Sequence, residues 1–237
     1  MSARRGQFCP IAKAAEIICE RWTLLVVREL LLGSRHFNDF QRGLPMLSPT
    51  LLTKRLRQLE DSGVLLRKPG PRGIEYWPTQ AGEELRPMVL FAGRWGARWV
   101  RSRLVREDLD AGSLMWFIHR HFRLDALPSR RILLHVQLTD ERRMGRWWIR
   151  LSPQGGELCL DDPGGDVDVY VTTNVMTLTA VYLGDIDFRE AIQAKRITVI
   201  GPRDLVRDIH RWFARSRFAD VRPATDRERK TLAAAEV

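Results

Sequence analysis

Cysteine is scarce in this chain. There are three in 237 residues, Cys9, Cys19 and Cys159, odd in number and without CxxC spacing. That excludes a disulfide framework and a zinc site built on paired thiolates. The histidines at 36, 119, 121, 135 and 210 form no ligand pattern, so no metal and no cofactor is expected. His119 and His121, two apart, would point away from each other on a helix. There is no Gly-rich phosphate loop, nucleophile elbow or paired-carboxylate motif, which argues against an enzyme. No run approaches the roughly 18 apolar residues that span a bilayer. The basic start, Met1 to Phe8, has no apolar segment behind it and does not read as a secretory signal, so a cytoplasmic location is expected.

What is present is an ordinary globular composition, 44% hydrophobic and 29% charged. The length suits one or two domains, each able to hold a core. The net charge of +10 is unevenly placed. Residues 1–106 hold 19 Lys/Arg against 9 Asp/Glu, and residues 107–237 hold 20 of each. All of the excess positive charge therefore lies in the first half. A basic surface attracts phosphate backbones and releases their counterions, which points to nucleic acid, and a basic face kept for solubility would look the same.

The first half reads as helical. Pro10 opens a helix over 10–20, and an apolar run over 22–33 ends at Gly33. A short helix over 37–43 stops before Gly43-Leu44-Pro45. Ser48 as N-cap and Pro49 at the first position open a helix that runs to Gly63. Residues 64–66 and 75–77 read as short strands around a turn-forming tip, Pro69-Gly70-Pro71-Arg72-Gly73. A last helix is predicted from Gln80 to about Arg103, with Leu85, Val89, Ala92, Trp95, Gly96 and Trp99 on one stripe. This order is a winged helix-turn-helix layout.

Against that layout, particular residues carry a family resemblance. Cys9-Pro10, Arg21-Trp22-Thr23-Leu24-Leu25, Arg28-Glu29-Leu30, Phe37-Asn38-Asp39-Phe40, Leu44-Pro45, the run from Leu51 to Glu60, and Gly63 stand in the order and spacing of the HxlR-type regulators. Over residues 7–103 the chain resembles that MarR-related bacterial family, with a shorter wing. The resemblance implies a dimer on a pseudo-palindromic operator, with residues 80–103 and the first helix as the dimer surface. A repressor is the expected sense of regulation.

The second half changes character. Residues 132–138, 146–151 and the alternating 166–173 read as strands, 174–183 and 187–194 as helices, and 197–200 as a short strand before a helix over 203–214. Strands followed by helices indicate an α+β domain. Over about residues 115–216, and specifically in the latter half from Asp166, the chain resembles a sterol-carrier-protein-2-like domain, in which such elements wall an apolar cavity. The expected organisation is a mainly α winged helix-turn-helix domain at 1–106, an α+β domain at 107–222 and a disordered tail at 223–237.

In a helix-turn-helix the second helix enters the major groove. Leu52, Leu56 and Leu59 fall at inward spacing, so Pro49, Thr50, Thr53, Lys54, Arg57 and Gln58 face out with groups that base edges can pair. Ser48 at the helix N-terminus can bond a phosphate. Arg67, Lys68 and Arg72 around the wing tip suit an adjacent minor groove or its phosphates. Each of these faces would also serve as a solvated surface. Trp22, Trp95 and Trp99 read as core rather than site, and Trp95 and Trp99, one turn apart, could pack against the first helix or across a dimer seam. Cys9 sits where the resemblance implies a cysteine that can sense electrophiles or oxidants, and the helix N-terminus after it would stabilise a thiolate; a small packed residue is the other reading. Val167, Val169, Val171, Leu178, Val181, Leu183, Phe188 and Ile192 could line a pocket for an apolar effector or form an ordinary core, since the two share one composition. The leading expectation is a DNA-binding regulator. The competing one is a lipid-binding or carrier protein whose helix-turn-helix makes protein contacts, and such a carrier has no need of a +10 half.

Overall fold

Residues 8–230 are described by the computed structural model, which divides by contact into residues 1–92 and 93–237. In the first unit Pro10 opens α1 (Pro10–Ile18). α2 (Thr23–Leu31) starts at Trp22, held in the left-handed region at φ 78°, and the chain turns away at Gly33, φ 93°. α3 (Phe37–Gly43) and α4 (Pro49–Asp61) follow, then the hairpin of β1 (Leu65–Gly70) and β2 (Gly73–Pro78). Val26, Val27 and Leu30 of α2, Phe40 of α3, and Leu52, Leu56 and Leu59 of α4 form one buried core. Each such side chain contributes about 1.5–3 kcal/mol on leaving water.

Two expectations in this unit are corrected. The wing strands are longer than 64–66 and 75–77, because pairing continues to Gly70 opposite Gly73 and leaves only Pro71 and Arg72 as the turn. Gly73 supplies the positive φ (102°) that this tight turn needs. The helix expected over 80–103 is two helices, α5 (Gln80–Glu84) and α6 (Arg86–Trp99), followed by a 3-10 turn. Pro87 has no N–H to extend the α5 ladder, and it fits instead in the first turn of α6.

The second unit holds residues 93–99 of α6, α7 (Ala111–Arg120), β3 (Ile132–Leu138), β4 (Arg146–Ser152), β5 (Gly155–Cys159), β6 (Val169–Thr173), α8 (Val175–Leu183), α9 (Phe188–Gln193), β7 (Thr198–Ile200), α10 (Arg203–Asp208) and α11 (Asp226–Lys230). The sheet order is β5-β4-β3-β6-β7, with β3 and β6 parallel and the other pairs antiparallel. Alternation sends Leu134, Val136, Ile149, Val169 and Val171 into a core shared with Met115, Leu178, Ile209 and Trp212 of the helical layer. The opposite face carries one cross-strand row, Cys159, Trp148, His135, Tyr170 and Ile200. The His135 ring stands 4.9 Å from that of Trp148 and 5.6 Å from that of Tyr170, near edge-on to both.

Three details differ from the sequence pattern. β6 begins at Val169 rather than 166, and the last predicted helix ends at Asp208 with a 3-10 turn instead of running to 214. Residues 223–230 are not a structureless tail. Ala224 is buried and donates its N–H to the Arg98 carbonyl at 2.6 Å, and α11 follows. Glu228 accepts from the Thr225 N–H and hydroxyl and from Arg98 and Arg222, which holds its carboxyl down at about 2. Hydrogen bonds of a few polar residues thus order a stretch whose composition resembles a solvated tail. Residues 231–237, the rest of the expected tail, lie outside the described residues.

Candidate nucleic-acid interface

α4 is fixed at its N-terminal end. Ser48 caps it, its Oγ accepting the Leu51 N–H at 3.4 Å, and Pro49 takes the first helical position. The turn before it is held by Gln41, whose Nε2 donates to the Leu47 carbonyl at 2.7 Å. Leu52, Leu56 and Leu59 face inward, at 2% exposure or less. Ser48, Pro49, Thr50, Lys54 and Arg57 are exposed, while Thr53 and Gln58 are half-buried. The Lys54 and Arg57 side chains make no hydrogen bond or ion pair among the described residues. Thr53 turns its hydroxyl back onto the Pro49 carbonyl at 2.9 Å. Gln58 accepts from Arg55 Nη1 at 2.6 Å, so its amide oxygen is engaged within the protein.

Arg55 is the residue that periodicity overlooked. It is 7% exposed, donates from Nε to the Arg21 carbonyl at 3.0 Å and pairs with Glu20. A cation of α4 is thereby spent on fixing the helix to the segment between α1 and α2. A second overlooked group is Glu29, fully buried on α2. Arg28 Nη2 pairs with it at 2.9 Å, and the Ser34 hydroxyl donates to it at 3.2 Å. A Cβ at Gly43 would run into this carboxylate, so the glycine that ends α3 makes room for the charge. Arg28 also donates to the Gly43 carbonyl at 3.3 Å, joining α2 to the end of α3. No spacing rule marks a buried carboxylate beforehand, because the space it fills is left by a glycine of another helix.

The wing cations differ from one another. Arg67 is exposed but paired with Glu60 at 2.8 Å, and that bond raises its already high pKa further. Lys68 stands across the hairpin from Glu75. Arg72 at the turn makes no hydrogen bond or ion pair among the described residues. The wing is braced on the helices, since Tyr76 N–H donates to the Arg35 carbonyl at 2.8 Å and the Arg35 guanidinium lies 4.4 Å from the Trp77 ring centre. Burial pushes the Tyr76 hydroxyl above its ordinary pKa, and the Arg67 charge opposes the shift.

The sequence pattern of the HxlR-like helix-turn-helix family matches residues 17–103. The uncharacterized HTH-type transcriptional regulator YvaP of Bacillus subtilis is 36% identical over 100 residues, which cover 40% of this chain and 93% of YvaP. The chain belongs to the HxlR-like helix-turn-helix family. A second HTH-type regulator, sll1512 of Synechocystis, is 35% identical over 110 residues, 45% of this chain and 82% of the relative. Among solved structures the redox regulator HypR in its oxidized form is 31% identical, covers 37% of this chain and 94% of its own, and has a TM-score of 0.35. The HxlR-like match ends at Arg103, so it leaves the five-stranded sheet unassigned.

The remaining predicted residues fall as follows. Cys9 is half-buried at the N-cap of α1, where its carbonyl accepts the Lys13 N–H at 3.1 Å. Cys159 lies in β5, opposite Trp148. Val169 and Val171 are fully buried in the sheet core. Leu178, Val181 and Phe188 line a cavity of about 60 Å³, whereas Val167, Leu183 and Ile192 are half-buried elsewhere. That volume holds a water or two. Among the described residues no group of three or more His, Cys, Asp or Glu could hold a metal ion, and no helix is long and apolar enough to cross a membrane.

Proposed function

We propose that this HxlR-like protein is a dimeric repressor that binds a pseudo-palindromic operator, reading bases with α4 and touching the flanking backbone with its wing. The observation that carries the reading is the pair Lys54 and Arg57, exposed and without a hydrogen bond or ion pair among the described residues, on the outward side of a helix whose inward side is a leucine core. Unpaired cations on a braced helix have no desolvated partner to abandon when a phosphate or base edge arrives. Ser48, Pro49 and Thr50 at the N-terminus of α4 extend the same face, and Lys68 and Arg72, both exposed and without a hydrogen bond or ion pair among the described residues, are the wing cations most available to DNA. Thr53 reaches DNA from a hydroxyl that also bonds its own backbone. Arg67 and Gln58 act more as supports, given Glu60 and Arg55.

Dimerisation is supported by exposed apolar side chains where the family resemblance puts the seam. Ile11 is 79% exposed on α1, and Phe91 and Trp95 are 70% and 54% exposed on α6. The second unit is the place for an effector, with a sterol-carrier-protein-2-like order of β6, two helices, short β7 and α10. An apolar effector within its helical layer would have to widen the cavity beside Leu178.

The test is fluorescence anisotropy with the upstream promoter DNA and a scrambled control at several salt concentrations. Lys54→Ala with Arg57→Ala is expected to weaken operator binding at least tenfold and to reduce the salt slope by about one per lost phosphate contact, with circular dichroism unchanged. Unchanged affinity removes α4 as the reading helix. Equal, salt-sensitive binding to both DNAs reduces the interaction to charge attraction.

A further inference from the structure

The outer face of the second unit's sheet carries a groove of about 650 Å³ that none of the elements above uses. Its size lies in the range of small-molecule sites. The floor follows from strand register. Leu133, Arg150 and Glu157 form one cross-strand row, and Ser152 stands opposite Gly155 in the next. Arg131, one residue before β3, continues that second row on the same face. Gly164 and Gly165, in the left-handed region at φ 76° and 94°, build the far wall with Asp166 and present backbone there instead of side chains.

The charges of this groove are arranged unusually. Asp168 is satisfied, with Arg130 at 2.6 Å and the Leu133 N–H at 2.8 Å. Arg150 is held in place by donating to the Pro163 carbonyl at 2.8 Å, while its contact with Glu157 is long, 3.4 Å. Arg131 and Asp166 both line the groove, yet neither side chain has a hydrogen bond or ion pair among the described residues, so they do not pair with each other. One groove thus offers a fixed guanidinium, a second unpaired guanidinium beside it, and an unpaired carboxylate apart from both. A simple anion would use the arginines and meet Asp166 unfavourably. A molecule bearing both signs would satisfy all three.

We propose that this groove is a binding site for a small zwitterion of the amino-acid or short-peptide class, its carboxylate on Arg131 and Arg150 and its ammonium on Asp166. Leu133 on the floor supplies the apolar contact for a side chain. The site lies on the opposite side of the sheet from the helical layer and its small cavity. It rests on the regulator reading only for the ligand's role as effector, and binding is measured on the protein without DNA, so the two readings fail separately.

The experiment is isothermal titration and thermal shift on the full chain, with free amino acids and dipeptides at millimolar concentration as probes. Acetate, phosphate and the N-acetylated form of any hit serve as controls. At least one zwitterion is expected to bind. Arg131→Ala should weaken it about tenfold or more, as loss of a charge-assisted bond does. Arg150→Lys should weaken it through loss of the planar fork. Asp166→Asn should weaken the zwitterion and leave its N-acetylated form unaffected. These surface changes are checked for folding by circular dichroism. Failure of every zwitterion to bind overturns the proposal. So does equal binding of acetate or the N-acetylated form with Asp166→Asn silent, which would make the groove an anion site.

Discussion

At Gly43 the absence of a side chain is what allows a charge to be buried. The Glu29 carboxylate occupies the space a Cβ would take, with Arg28 and Ser34 supplying its bonds. Gly43→Ala is therefore expected to cost about 1–3 kcal/mol from overcrowding, measured by urea unfolding. A stability equal to the wild type would mean that Glu29 can leave its site freely. His135 titrates lower in the folded chain than in the unfolded one. Burial lowers its pKa, the Arg146 charge lowers it further, and Asp162 opposes both. The unfolded chain therefore takes up this proton first, at a pH near 6.5. The stability that neutral His135 contributes is complete above that pH and declines as pH falls through the folded value. Urea midpoints should drop from about pH 7.5 to about pH 5.5, and His135→Gln should reduce the drop. The effect is small, because the ring is partly exposed between Trp148 and Tyr170.

For α4, apolar spacing was enough to separate inside from outside. Three leucines at helical intervals have one way to reach a core, and Ser48-Pro49 sets where the helix begins. That logic places Lys54 and Arg57 outward, and they are exposed. It does not foresee that Gln58 is engaged by Arg55, since that bond depends on Glu20 and Arg21 arriving from another segment. α7 and β5 left no clear signal either. α7 is apolar around most of its circumference, and β5 is a glycine-rich edge strand held by its pairing to β4. On α6 the exposed Phe91 and Trp95 carry a prediction for the element. Phe91→Glu with Trp95→Glu should convert a dimer to a monomer in sedimentation velocity and weaken operator binding with it. A dimer that persists would place the seam elsewhere.

For the whole molecule, the +10 of residues 1–106 and the neutrality of residues 107–237 divide the labour between a part that attracts phosphate and a part that does not. The C-terminal segment belongs structurally to the second unit through Ala224, Glu228 and Arg98. Truncation after Arg222 is expected to lower one calorimetric transition by several degrees and leave the transition of the DNA-binding unit in place. Equal melting of both forms would show that residues 223–230 hold nothing. By itself the sequence determined the helix-turn-helix order, the charge asymmetry and the outward face of α4, because periodicity, capping and composition are local properties of the chain. Only the tertiary structure decided which cations remain unpaired, that Glu29 is buried against Gly43, and that Arg131, Arg150 and Asp166 share a groove. Those depend on strand register and on contacts between residues far apart along the chain, where the energy of a charge is set by what packs beside it.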